Sequence, residues 1–202
     1  MKGKIFNAQE VQAILNGSKV MFREVIKPQP KNTEYCGKNS LGAFVFHEKE
    51  MRDYVELIHP PYQVGQKIFC KEVFGEDWFN DICYKATDQA DYAVSSWKPA
   101  QHMKQEHSRL TLLIKEIRVE RLGDISADDC WKEGIAYSPE CCQNYIAIPD
   151  CNGNPTPSCC NNPNVVHPQP QFEQIWNATC KKPEEKFEAS PWVWSILFEA
   201  VK

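Results

Sequence analysis

The sequence predicts an α+β fold: a small curled sheet or barrel flanked by helices. Three observations predict it. A well-punctuated helix stands near the N-terminus, a series of short strand-like runs follows, and a helical segment leads into one last strand. With 202 residues, 42% of them hydrophobic and 25% charged, the chain suits one domain carrying an insertion and can bury a real core.

The first element is "FNAQEVQAILNG". Asn7 can cap it, Glu10 three residues on can answer the cap, and Gly17 supplies the left-handed stop. Val11, Ile14 and Leu15 share one face. "KVMFREVI" is β-leaning and is closed by Pro28 and Pro30, after which residues 31–42 read as loop. "AFVFH" and "DYVELIH" are short strands, and "VGQKIFCKEVF" places another from about Lys67 to Val73. "DICYKAT" is a further strand, and "DQADYAVSSWKPAQHMKQEH" a long polar connection.

"SRLTLLIKEIRVERL" carries the strongest β signal, as a long bent strand or a hairpin. "ISADDCWKEGI" is a short helix with Ser126 at its cap, Asp129 at the third helical position and Gly134 at its stop. Residues 138–171, rich in Pro, Asn and Cys, have no periodicity and read as an inserted loop. "FEQIWNATC" is helical and "PWVWSILFEAV" is the final strand. No internal repeat is visible.

The net charge of -4 excludes a polycation built to coat nucleic acid. Residues 1–31 nevertheless hold six Lys/Arg against Glu10 and Glu24, a local balance of +4. Such a patch suits a selective anionic ligand; the plainer alternative is a solvated lysine surface. No apolar run reaches the ~20 residues that span a bilayer, and "MKGKIFNAQE" lacks the apolar core of a signal peptide. The expected compartment is the cytoplasm, where ten cysteines stay reduced. Cys70 and Cys83 read as small buried hydrophobes.

The order of several strings then carries a resemblance. Gly17-Ser18-Lys19 with Arg23 four residues after the lysine, "VGQKIFCKEVF", "ICYKA", "WKPAQHM", "SRLTLLI", "VERLGDISADDCWKEGI" and "PWVWSILF" together resemble the ASCH family, in its longer phage and prophage members. The likeness covers most of the chain except roughly 31–45 and 138–171. It implies a single domain over 1–202 with a PUA-like small β-barrel and a cleft against flanking helices. It also implies binding of RNA or nucleotides in a bacterial host cytoplasm. Some small ASCH proteins hydrolyse the amide of acetylated cytidine with a Lys-Thr-x-Thr string and a strand glutamate. By position Lys19 matches the lysine and Glu72 the glutamate, but Val20 and Phe22 stand where the threonines belong. A threonine nucleophile needs a hydroxyl, so that mechanism lacks its nucleophile here. Glu24 also replaces the second arginine of the phage pattern.

The candidate ligand-binding residues are Lys19, Arg23, Lys71, Glu72, His102, Arg109 and Trp192. Lys19 and Arg23 share a face if extended and could grip phosphate, or be two solvated cations. Glu72 suits acid–base work, or pairs with Lys19 or Arg109 to hold the cleft. His102 is a base, a donor or a stacker, or a structural loop histidine. Arg109 opens the long strand as an anion contact. Trp192 and Trp194 alternate on the last strand, where core packing competes with base stacking at the rim.

Catalytic candidates, in the hydrolase alternative, are Lys19, Glu72 and His102, with an activated water replacing the threonine. No cofactor is expected. The insert's Cys141, Cys142, Cys151, Cys159 and Cys160, near His167, could hold a structural zinc, but lack a C-x2-C pair and read first as free thiols. The expected partner is nucleic acid, RNA favoured, or a nucleotide, and not a membrane. A phage–host protein contact through the insert is the remaining alternative.

Overall fold

The computed structural model describes residues 1–31, 34–40, 42–47, 55–88, 94–135 and 168–201. The insert cysteines and His167 lie outside them. The elements are mixed α and β, with strands in sheets of five, three and two, and among the described residues none of these sheets closes on itself. The chain divides into two compact units, Met1–Val20 with Tyr62–Glu116 and Ile196–Lys202, and Met21–Pro61 with Ile117–Ser195. Among the described residues no helix is long and apolar enough to cross a membrane.

In the first unit, β1 (Lys2–Ile5) runs parallel to β6 (Lys67–Lys71), and β6 runs antiparallel to the first part of β9 (Thr111–Arg121). The end of β10 (Trp192–Val201) follows β9 in the sheet order. Helix α1 (Ala8–Leu15) has the full capping box: the Asn7 side chain accepts from the Glu10 N–H, and the Glu10 carboxylate accepts from the Asn7 N–H, each at 2.9 Å. Val11 and Ile14 are buried, and Gly17 takes the left-handed φ of 80° that ends the helix. A two-stranded hairpin of β7 (Phe74–Glu76) and β8 (Ile82–Tyr84) completes this unit. The polar connection after it includes two short 3-10 turns, Ala100–His102 and Gln105–His107.

The second unit holds β2 (Met21–Val25), the rest of β9 and the start of β10. It also holds the antiparallel sheet β3 (Glu34–Lys38), β4 (Phe44–His47) and β5 (Val55–Ile58). Phe44 and Phe46 alternate inward and meet Trp194 and Trp192 edge-on, at centroid distances of 4.9 and 5.1 Å. Helix α2 (Ala127–Lys132) starts where the Ser126 hydroxyl accepts from the Asp129 N–H. Helix α3 (Pro168–Thr179) packs Phe172 with Leu122, Ile125, Cys130, Ile135 and Val193.

The structure corrects several sequence expectations: Leu15 is exposed and Cys83 only half-buried, and the element bounds change as follows. Residues 34–38 form a strand within the expected loop, because pairing with β4 outweighs weak local propensity; a register shift at Gly37, φ 125°, absorbs the misfit. The strand expected to reach Val73 stops at Lys71. Helix α3 begins inside the expected insert, since Pro168 and Pro170 fall in a first turn that needs no backbone donors. β1 and β7 were not anticipated.

Candidate functional site

In the first unit, backbone pairing brings the end of β6 beside the start of β9. The Cys70 N–H donates to the Leu110 carbonyl at 2.9 Å, and the Ser108 hydroxyl donates to the Cys70 carbonyl at 2.7 Å. These two ties set Arg109 opposite Glu72. The buried Glu72 carboxylate then accepts from Arg109 Nε at 2.9 Å and from Nη2 at 2.8 Å, a fork-to-fork pair. Arg109 Nη1 donates to the Thr87 hydroxyl at 2.8 Å, and its guanidinium carbon lies 4.1 Å from the centre of the Tyr84 ring. Tyr84 donates in turn to the His107 carbonyl at 3.0 Å. Burial raises the Tyr84 hydroxyl above its ordinary value, against the pull of Arg109.

A guanidinium has five N–H donors. Glu72 and Thr87 take three of those on Arg109, so among the described residues one N–H on each Nη remains. The side chain keeps 22% of its surface exposed. Arg109 is thus immobilised and still able to donate.

Lys19 follows the α1 stop, and its buried ammonium lies 3.5 Å from Glu10. The Cys70 thiol is pushed up by burial, then by the charges of Glu72 and Glu10, with Arg109 acting the other way. Glu10, Glu72 and Arg109 therefore act on one point of β6. Lys71 Nζ donates to the Gln101 carbonyl at 3.0 Å. Gly3 lets this side chain cross β1, because a Cβ there would lie 2.6 Å from Lys71 Cε and 2.7 Å from the Phe69 ring. His102 is exposed, its Nε2 3.3 Å from the Gln101 amide nitrogen.

Arg23 and Trp192 belong to the second unit. Arg23 is used differently from the phosphate grip that the sequence suggested. Its Nε and Nη2 donate to Glu120 at 3.0 and 2.6 Å, Nη2 also to Asp129 at 3.2 Å, and Nη1 to Glu133 at 2.8 Å and the Met21 sulfur at 3.5 Å. All its donors are occupied and its side chain has no exposed surface. Burial works against the charge, but Glu133 and Glu120 outweigh it and hold the guanidinium above its ordinary value. Arg118 and Lys132 also meet Asp129, at 2.9 and 3.6 Å. The Arg121 guanidinium carbon lies 4.4 Å from the centre of the Trp192 ring, which is buried.

The sequence reading gave no role to Tyr84, although it lies in the string "ICYKA", or to Thr87, and missed the use of Asp129 and Glu133 against Arg23. The spacing of those two acids, one helical turn apart, was the available signal. Among the described residues no group of three or more His, Cys, Asp or Glu is arranged to hold a metal ion. No protein-family model, curated protein or solved structure matches this chain.

Proposed function

We propose that this chain is an ASCH-type nucleic-acid or nucleotide-binding protein of a phage or prophage, acting in the host cytoplasm with RNA as its favoured ligand. The observation that carries the reading is Arg109, held on Glu72, Thr87 and Tyr84 with one N–H on each Nη still available among the described residues. Two such donors match a pair of phosphate oxygens or the O6 and N7 edge of guanine. Because Glu72 offsets part of the charge, Arg109 reads geometry, while the half-buried Lys71 supplies the electrostatic contact and the exposed His102 a hydrogen bond. Lys19 and Glu10 keep the neighbouring helix end in place.

Arg23 and Trp192 hold the second unit together in this reading and do not touch the ligand. The open five-stranded sheet would correspond to part of the small PUA-like barrel. Binding to single-stranded RNA, duplex RNA and duplex DNA, followed by fluorescence anisotropy, tests the proposal. Absence of binding to all three, and to free nucleotides, contradicts it.

One observation favours a hydrolase reading second. The Thr87 hydroxyl that Arg109 contacts lies 3.2 Å from the Asp88 carboxylate, so a hydroxyl, an acceptor for its proton and a cation meet in this unit. Prolonged incubation with acetylcytidine separates the two: a binder returns it intact, and a hydrolase releases acetate.

A further inference from the structure

The β7–β8 hairpin ends in Asp77-Trp78-Phe79-Asn80-Asp81, and its two aromatic side chains are 74% and 84% exposed. The turn beneath them is tightly made. The Asp77 carboxylate accepts from the Phe79 and Asp81 N–H groups at 2.8 and 2.9 Å. The Asp77 N–H donates to the Asp81 carbonyl at 3.0 Å, the Asn80 N–H to the Asp77 carbonyl at 3.1 Å, and Asn80 takes a left-handed φ of 65°. The root is anchored as well. Phe74 is buried and exchanges backbone hydrogen bonds with Lys98, Glu76 pairs with Lys98 at 2.5 Å, and Val94 packs so closely on Gly75 that no Cβ would fit there.

A braced turn therefore holds about 300 Å² of aromatic surface in water, as large as the main apolar patch of many monomers. Burying that area on a partner is favourable, and Trp is enriched among residues that dominate binding energy. Charge then selects the partner. Asp77 and Asp81 flank the aromatics, while the nearby cations are engaged elsewhere, Lys98 on Glu76 and Lys85 at 5.7 Å from the centre of the Trp97 ring. The Cys83 thiol is raised, first by burial and then by Asp77, Asp88 and Asp81. The field of these carboxylates repels a polyanion.

We propose that the Trp78–Phe79 hairpin tip is a docking point for a protein segment presenting arginine or lysine beside aliphatic side chains. The cation would lie on the Trp78 ring between the aspartates, and its aliphatic neighbours on Phe79. This surface is separate from the Arg109 site and does not depend on the reading given to it.

The test is a titration of the ¹⁵N-labelled full chain, following the Trp78 indole N–H resonance assigned with Trp78→Phe. The probes are a short peptide of alternating arginine and leucine, its glutamate–leucine counterpart, and oligouridylate. The expected result is saturable movement of the resonance with the arginine peptide alone. Affinity, read in both chains from the Asp81 backbone amide resonance, should fall about ten-fold or more in a Trp78→Ser/Phe79→Ser chain whose melting temperature is unchanged. Equal affinity in that double variant would reduce the effect to bulk charge and overturn the proposal. Movement on oligouridylate would make the tip an RNA contact, and no movement with any probe would leave no docking role; either result also overturns it.

Discussion

Glu72 and Arg109 meet fork to fork, both carboxylate oxygens accepting from one guanidinium at 2.9 and 2.8 Å. The carboxylate is 3% exposed and the arginine 22%. The pair thus joins the end of one strand to the start of another, with one edge of the arginine facing solvent.

Removing one partner leaves a buried charge unmatched. Arg109→Ala is expected to destabilise the fold by about 3 kcal/mol, the lower end of the range for buried pairs because Arg109 is partly exposed. Arg109→Ala/Glu72→Gln should recover part of that loss. Urea denaturation of the three chains measures both effects, and equal midpoints for the single and double variants would count against the pairing.

Arg23 makes the opposite case. Arg23→Ala strands Glu120, Asp129 and Glu133 around a cavity and is expected to cost about 3–5 kcal/mol. Arg23→Lys should rescue little, since an ammonium has three donors and no planar fork. Under conditions where the variants stay folded, RNA affinity and its salt dependence should not change. A flatter salt slope in Arg23→Lys would return Arg23 to the ligand site.

Cys130 sets an alkaline limit. Burial first, then Glu133 and Asp129, push its thiol up to about 12, against the pull of Arg23. A thiol raised in the folded state contributes stability that is complete below its unfolded value of 9.0 and is lost as pH climbs through about 12. Stability is expected to decline over that window, and less steeply in Cys130→Ala. Guanidinium melts at stepped pH measure the difference; parallel declines would contradict it.

Gly3 is a position of close approach. Gly3→Ala places a methyl group against Lys71 Cε and the buried Phe69 ring, at an overpacking cost of about 1–3 kcal/mol. It should also free Lys71 from Gln101 and weaken RNA binding, whereas Gln101→Ala, which keeps the backbone acceptor, should leave both unchanged. Thermal melts and anisotropy on the two variants decide it.

Local signals carried much of this fold. The Asn7–Glu10 box, the Gly17 and Gly134 stops, the Ser126 cap and the β9 and β10 runs were legible because each is encoded within a few residues. β1 was not, because its partner β6 is distant in sequence, and β3 was not, because its own residues have weak strand propensity and pairing with β4 makes it a strand. The pairing of Glu72 with Arg109 was anticipated as one of two uses of that glutamate. The sealing of Arg23 was not, for besides Asp129 of α2 and Glu133 at its C-cap it needs Glu120 of β9, and no short string connects these to Arg23. Tyr84 and Thr87 join the site through a strand end and a turn, and nothing in the string "ICYKA" points to Arg109.

The most direct test of the central claim is fluorescence anisotropy of single-stranded RNA over a salt series, with the wild-type chain and Lys71→Ala. The account predicts binding that weakens as salt rises, with Lys71→Ala binding less tightly and its log–log slope smaller by about 0.7–1. The same affinity and slope in both chains, or no binding at low salt to this RNA, to duplex RNA or DNA, or to free nucleotides, would contradict it.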